Sequence, residues 1–252
     1  MTYKAILTDY SQAYRETERF YHFKDSHLKN RYYSNYLDYK TLPSLEQVIA
    51  DLDYLKEEQK DYPLDYAMVF FPENEELRES LSTYLEASQF EIEKHLIFRA
   101  PISDLKFSEK VVNTITIERL SEHFFRDYLD YKYRQRFIYG ENFAKEMYDW
   151  EQVNLPQEGA EIFIAHDGQN IIGDVTAWYY GDHIEMDDFS VLETYRGKGV
   201  GSALQKEASQ GFQAAILISQ EENRQMYEHQ GYREVAHYWT AIRKEESHKK
   251  KD

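Results

Sequence analysis

Residues 191–202 read Val-Leu-Glu-Thr-Tyr-Arg-Gly-Lys-Gly-Val-Gly-Ser. Its three glycines are Gly197, Gly199 and Gly201. They let the backbone bend closely and point successive N–H groups into one concavity. A helix predicted from about Val200 adds unpaired N–H donors and its positive dipole end. Arg196 and Lys198 add positive charge, so the stretch predicts a pyrophosphate site.

Two better-known phosphate loops fit this stretch less well. A Walker A loop needs Gly-x-x-x-x-Gly-Lys-Ser/Thr, but Lys198 is followed by Gly199. The dinucleotide fingerprint Gly-x-Gly-x-x-Gly is absent in that spacing, and it would follow a first strand with an acidic residue about 20 positions on. The remaining alternative is a glycine-rich turn with incidental basic residues.

The elements around this loop follow from periodicity and turn residues. A strand is predicted at 112–117, followed by helices from Ser121 and Glu141. Strands are predicted at 161–166, 171–180, 183–191, 214–219 and 232–243. One helix follows the loop, and another is predicted from a capping box at 219–222 to a left-handed cap at Gly231. The order is β-α-α-β-β-β-α-β-α-β.

The first half of the chain shows a similar pattern. Ser44 is predicted to cap a helix, with strands at 66–71 and 91–99 and a helix at 75–88. This α-β-α-β order resembles the part after Gly199, without a glycine-rich loop. We therefore predict an α/β fold with a mixed sheet and two domains, at residues 1–102 and 103–252. The first is interpreted as a degenerate relative of the second, or as an unrelated α/β domain.

Composition narrows the classes of function. The formal net charge is −16, which disfavours nucleic acid as a partner, since phosphate binding needs clustered Lys and Arg. Cysteine is absent, which excludes disulfides, thiolate metal sites and a cysteine nucleophile. No apolar run approaches the roughly 20 residues of a membrane helix. No signal-like segment precedes Tyr10, so we expect a cytoplasmic protein that does not bind membranes.

The loop resembles the Arg/Gln-x-x-Gly-x-Gly/Ala motif of the GNAT family of N-acetyltransferases. Arg196, Gly199 and Gly201 occupy its three defining positions, and the predicted element order over residues 112–243 matches the family's core. Residues 187–202 also look like the corresponding region of spermidine/spermine acetyltransferases. The resemblance implies a GNAT fold and an N-acetyltransferase that uses acetyl-CoA as co-substrate.

The resemblance also implies which residues hold acetyl-CoA. Its pyrophosphate would lie on Arg196, Gly197, Lys198, Gly199, Gly201 and Ser202. Its pantetheine arm would lie along Phe189, Ser190 and Val191, held by backbone groups, where this strand and the 214–219 strand separate. Asn223 is a further candidate, although the family's cofactor-contacting Asn usually lies further upstream of the tyrosine.

Candidate catalytic residues follow from the same resemblance and from the chemistry of amine attack on a thioester, which needs a base and an acid. Tyr227 matches the family's tyrosine in the last helix and is the candidate acid; the alternative is core packing. Asp187 matches the strand glutamate of the polyamine enzymes, and Glu185 faces the same way if alternation holds. Asp188 faces the other way unless a bulge intervenes. These carboxylates either abstract a proton, bind a cationic substrate, or are solvated.

The predicted function is acetyl transfer from acetyl-CoA to a primary amine. The alternative is a catalytically inactive module that binds acyl-CoA for sensing or interaction. The partner would be a small-molecule or peptide amine, and a homodimer is compatible with the sequence. His166 and His183 lie beside predicted turns and complete no metal-ligand pattern, so we expect surface positions and no metal.

Overall fold

The computed structural model of the protein describes residues 2–8, 11–108, 110 and 114–244. The chain divides into two compact units, one of residues 1–10 and 96–236 and one of residues 11–95 and 237–252. The predicted domain boundary at residues 102 and 103 divides the linear sequence, whereas each compact unit draws on two separate stretches.

The described residues contain the following helices: α1 (Tyr3–Leu7), α2 (Leu45–Glu58), α3 (Glu79–Ala87), α4 (Glu122–Arg136), α5 (Glu141–Asn154), α6 (Val200–Ala208) and α7 (Arg224–Gln230). They contain the following strands: β1 (Arg15–Glu16), β2 (Phe20–Phe23), β3 (Tyr36–Tyr39), β4 (Tyr66–Phe70), β5 (Glu91–Pro101), β6 (Thr116–Arg119), β7 (Ala160–His166), β8 (Ile171–Tyr180), β9 (His183–Val191), β10 (Ala214–Ser219) and β11 (Arg233–Lys244).

The unit of residues 96–236 is built on a mixed sheet with the strand order β5-β10-β9-β8-β7-β6. Strands β6 to β9 form an antiparallel meander. Strand β10 then pairs parallel with β9 and antiparallel with β5. The predicted order of elements from β6 to β11 is confirmed. The first predicted strand, at 112–117, overlaps β6 only at Thr116 and Ile117, and its residues 112 and 113 lie outside the described residues.

Helices cover both faces of this sheet. Successive side chains of a strand point to opposite faces, so β7 contributes to two cores. Ile162 and Ile164 pack in one cluster with α4, while Phe163 and Ala165 pack in another with α6. Ser121 and Gly199 occupy the N-cap positions of α4 and α6. The alternating apolar pattern therefore places one helix against each face.

The unit of residues 11–95 and 237–252 has the strand order β1-β2-β3-β4-β11. Its core packs α2 and α3 against apolar residues of β3 and β4. Ser44 and Gln47 form the capping box of α2, so the predicted cap is confirmed. Helix α3 begins at Glu79, four residues later than the predicted helix at 75–88. No helix in the described part of the chain has the length and apolar character to cross a bilayer.

Candidate functional site

Strands β9 and β10 separate in the middle of the sheet. Their parallel pairing joins Ala214 to His183 and ends where Ile216 pairs with Glu185. Strand β9 nevertheless continues to Val191, and β10 continues to Ser219. The pairing of the two strands therefore ends before either strand does, as the predicted separation requires.

A bulge in β9 lies beside this opening. The register with β8 shifts between Asp174 and Thr176, and Asp188 has a φ of 45°. Few residues other than glycine adopt this left-handed region, although Asp is among those that do. The bulge turns the Asp188 carboxylate towards α4, where it lies 2.9 Å from Lys132 Nζ. Regular alternation, which would have placed Asp188 on the opposite face, does not hold here.

The glycine-rich loop has the conformation that its composition predicts. Gly197 and Gly199 have φ angles of 72° and 86°. Gly199 is the N-cap residue of α6, so the first N–H groups of that helix border the loop. A Cβ at Gly201 would lie 3.0 Å from the Phe189 ring, which shows how closely β9 approaches α6. These features suit a backbone cradle for a phosphate group.

Two side chains of the loop have local partners. Arg196 Nε donates a hydrogen bond of 3.2 Å to the Val191 carbonyl oxygen. The Lys198 ammonium lies 5.0 Å from the centroid of the Tyr195 ring, a cation–π contact. Both side chains are exposed, so their charges remain beside the loop.

The segment before β6 also contacts the loop, which the sequence did not indicate. Ser108 N donates to Ser202 Oγ at 3.0 Å, and Lys110 Nζ donates to the Gly197 carbonyl oxygen at 2.9 Å. A Cβ at Gly199 would lie 2.8 Å from the Lys110 carbonyl oxygen. Lys110 therefore adds a third cation to the loop, and glycine is required at 199 by close approach as well as by φ.

Ser219, Asn223 and Tyr227 form a polar group at the end of β10. Asn223 Nδ2 donates to Ser219 Oγ at 3.1 Å, and the Tyr227 hydroxyl also hydrogen-bonds Ser219. Burial raises the pKa of Tyr227, so it stays protonated at neutral pH. The predicted capping box at 219–222 is wrong: Ser219 binds Asn223, and Gln220 begins a 3₁₀ turn without a side-chain cap.

Glu185 lies where the pairing of β9 and β10 ends. Its side chain is buried, and Tyr180 donates to its carboxylate at 3.3 Å. Burial, aided by the nearby charge of Asp187, raises the pKa of Glu185 well above its ordinary value. Asp187 is exposed and accepts a hydrogen bond of 2.8 Å from the backbone N–H of Asp188.

A buried polar network on α4 was missed by the sequence reasoning. Lys132 is 2% exposed and lies 2.8 Å from the fully buried Asp174 carboxylate. Ser190 Oγ donates to Asp174 at 2.5 Å, so its side chain points into the protein interior. A lysine in an amphipathic helix gives no signal of burial, because its partner lies 42 residues away in the sequence.

The expected surface position of His166 is wrong. It is 8% exposed, because its ring packs 4.4 Å from that of Phe124. His183 is half-buried and accepts a hydrogen bond of 3.2 Å from Arg99 Nε. Among the described residues, no group of three or more His, Asp or Glu side chains is arranged to hold a metal ion.

Family comparisons agree with this geometry. Residues 158–234 match the acetyltransferase (GNAT) domain. The match covers β7 to α7 and so includes the opening, the glycine-rich loop and Tyr227 of this GNAT domain. Residues 1–98 match a domain of unknown function, DUF5613, which precedes it. No curated protein sequence matches the chain significantly.

Solved structures share the fold. A functionally unknown conserved protein from Staphylococcus epidermidis aligns with a TM-score of 0.84 at 23% identity, covering 96% of this chain and 97% of that one. A GCN5-related N-acetyltransferase from Kribbella flavida aligns with a TM-score of 0.60 at 12% identity, covering 95% and 93%. Another from Sphaerobacter thermophilus has a TM-score of 0.57 at 14% identity, covering 85% and 74%. The chain thus has an acetyltransferase-like fold.

Proposed function

We propose that this protein is an acetyl-CoA-dependent N-acetyltransferase that transfers the acetyl group to a primary amine. The observation that carries the proposal is the opening between β9 and β10 beyond Glu185 and Ile216, with the glycine-rich loop immediately after β9. An extended thioester arm would lie between the two strands beyond the end of their pairing, and the loop would take its pyrophosphate. The resemblance to polyamine acetyltransferases makes polyamines the first acceptors to test.

The residues fit acetyl-CoA in two respects. The left-handed glycines 197 and 199 form a cradle at the N-terminus of α6, and Arg196, Lys198 and Lys110 supply positive charge beside it. The residues that would contact the phosphates are Arg196, Gly197, Lys198, Gly199, Gly201 and Ser202. Bound acetyl-CoA supplies the activated acetyl group. The backbone of Phe189, Ser190 and Val191 would orient it, with a backbone N–H near Val191 stabilising the oxyanion.

Burial raises the pKa of both the candidate acid and the candidate base. Tyr227 is therefore protonated, and its hydroxyl is the group that would donate to the departing thiolate, with Ser219 and Asn223 holding its position. Glu185, whose pKa is also raised, accepts a proton from an ammonium better than an ordinary carboxylate does. Asp187 is the alternative base, acting through a bridging water.

Tyr227→Phe and Arg196→Ala test the proposal. We measure CoA release from acetyl-CoA across a panel of amines that includes polyamines. Tyr227→Phe should lower kcat by about 10²-fold with little change in acetyl-CoA affinity, because it removes only the proton donor. Arg196→Ala should mainly weaken acetyl-CoA binding. Binding without release for any amine would favour the alternative, a module that holds acyl-CoA; absence of binding would refute the proposal.

The pH dependence of transfer tests the assignment of the base. Transfer should fail at low pH as Glu185 becomes protonated, with the acidic limb of the kcat/KM profile above the ordinary glutamate range of about 4–5. Asp187→Asn removes the nearby negative charge, so it should lower the pKa of Glu185 and move this limb to lower pH. Glu185→Gln should abolish the limb and most of the activity.

Loss of activity in Asp187→Asn, with Glu185→Gln still active, would assign the base to Asp187 instead.

The contribution of Glu185 to folding stability changes with pH in the opposite direction to its contribution to activity. Because the pKa of Glu185 is raised in the folded state, its protonated form stabilises the fold at low pH, and this contribution is lost as pH rises through the folded-state pKa.

A further inference from the structure

Two residues on either side of Phe189 are tied to the same buried group on α4 and β8. The Asp188 carboxylate lies 2.9 Å from Lys132 Nζ and 3.3 Å from an Arg136 nitrogen. Ser190 Oγ donates to Asp174, which in turn pairs with Lys132 at 2.8 Å. Lys132 thus contacts Asp188 directly and is linked to Ser190 through Asp174. Because Phe189 itself packs towards Gly201, the bulge is held from both faces of the sheet.

Further hydrogen bonds from α4 and α5 surround this network. Ser190 Oγ also meets the Tyr131 hydroxyl at 2.8 Å and accepts from Gln135 Nε2 at 3.0 Å. Arg136 forms a two-point pair with Glu151 on α5, at 2.6 and 2.8 Å. Paired guanidinium and carboxylate groups of this geometry are directional as well as strong. Residues of α4 and α5 therefore orient the side chains of Asp188 and Ser190.

We propose that Lys132 and Asp174 are positioning residues of the acyl-transfer site, acting through Asp188 and Ser190 to set the bulged backbone of β9. This inference rests on the proposed function, since the bulge faces the opening that would admit the thioester. The pairing of β9 with β10 ends at Glu185, before the bulge, and the network on α4 ties Asp188 and Ser190 to the fold beyond that point. Neither Lys132 nor Asp174 needs to touch a substrate to do so.

Asp188→Asn is the sharpest variant for this test. It removes the charge that Lys132 and Arg136 hold, while the buried pair of Lys132 and Asp174 stays intact. Asparagine also tolerates the left-handed φ of this position, so the fold should persist. The matched control is Asp127→Asn, the same change at an exposed position of α4.

Two measurements are made on the full-length protein. Hydrogen–deuterium exchange without ligand should become at least several-fold faster in residues 186–191 of Asp188→Asn and stay unchanged in Asp127→Asn. In acetyl transfer, kcat should fall about 10- to 10²-fold in Asp188→Asn, because small misplacements cost this much. The dissociation constant for CoA should change by a smaller factor than kcat, since the loop that would hold the phosphates is not part of the network and only the pantetheine arm would contact residues 189–191.

Unchanged exchange together with unchanged kcat would overturn the inference, as would equal losses in kcat and CoA affinity, which indicate a general structural effect. If the wild-type protein transfers no acetyl group, the proposed function fails on its own. The exchange measurement still decides whether the network holds the bulge, so the two failures are distinguishable.

Discussion

Lys132→Met should destabilise the folded protein by about 3–5 kcal/mol, because it leaves the buried Asp174 carboxylate without its cation. Methionine has a similar length, so the change removes charge with little loss of volume. The exposed Lys206 on α6 offers the matched control, and Lys206→Met should change stability by less than about 0.5 kcal/mol. Urea denaturation followed by circular dichroism measures both values.

Two further observations separate lost charge pairing from lost packing. The double variant Lys132→Met, Asp174→Asn should be more stable than Lys132→Met alone, because it removes the unpaired charge and keeps an oxygen for Ser190. The defect should also shrink at acidic pH. Burial already raises the pKa of Asp174, removal of Lys132 raises it further, and the protonated carboxyl needs no cation. Equal stability of the single and double variants would refute this explanation.

Gly231→Ala should destabilise the protein by about 2–5 kcal/mol, the sum of two costs. Gly231 ends α7 with a φ of 106°, a conformation that costs other residues about 1–2 kcal/mol. In addition, a Cβ at Gly231 would lie 2.3 Å from the Asp104 carbonyl oxygen. Because backbone cannot swing away as a side chain can, this clash should add about 1–3 kcal/mol. Thermal and urea unfolding measure the total.

Gly211 provides a control for the conformational part. Its φ is 87°, and a Cβ there would meet no heavy atom within 4 Å. Gly211→Ala should therefore cost only the left-handed penalty of about 1–2 kcal/mol. Similar losses in both variants would show that the chain near Asp104 moves aside easily.

Gly231 and Gly199 each have one property that the local sequence predicts and one that depends on the fold. Gly231 is predicted as a left-handed helix cap from its place after an amphipathic stretch, and the cap is present. Its contact with Asp104 comes from a residue 127 positions away along the chain, so no local pattern reports it. Gly199 is a second case, with its φ implied by the motif and its contact with Lys110 visible only in the fold.

The candidate site likewise has features that the local sequence indicates and features that depend on the fold. The motif around Arg196, Gly199 and Gly201 and the order of strands and helices are local properties, and they indicate the GNAT domain that the family comparison finds. The acetyl-CoA contacts and the roles of Tyr227, Asp187, Glu185 and Asn223 stay predictions. The raised pKa of Glu185 depends on burial, which one strand's alternation does not fix.

Apart from α1 and β1 to β3, which were not predicted, the sequence by itself determined which segments are helices and strands and where the glycine-rich loop lies. These follow from periodicity, turn residues and the conformations open to glycine, all of which act over a few neighbouring positions. Only the tertiary structure decided the bulge at Asp188, the burial of Lys132 and His166, and the opening beyond Glu185. Each depends on the register and partners of separate strands and helices, and these are set by packing between residues far apart in the chain.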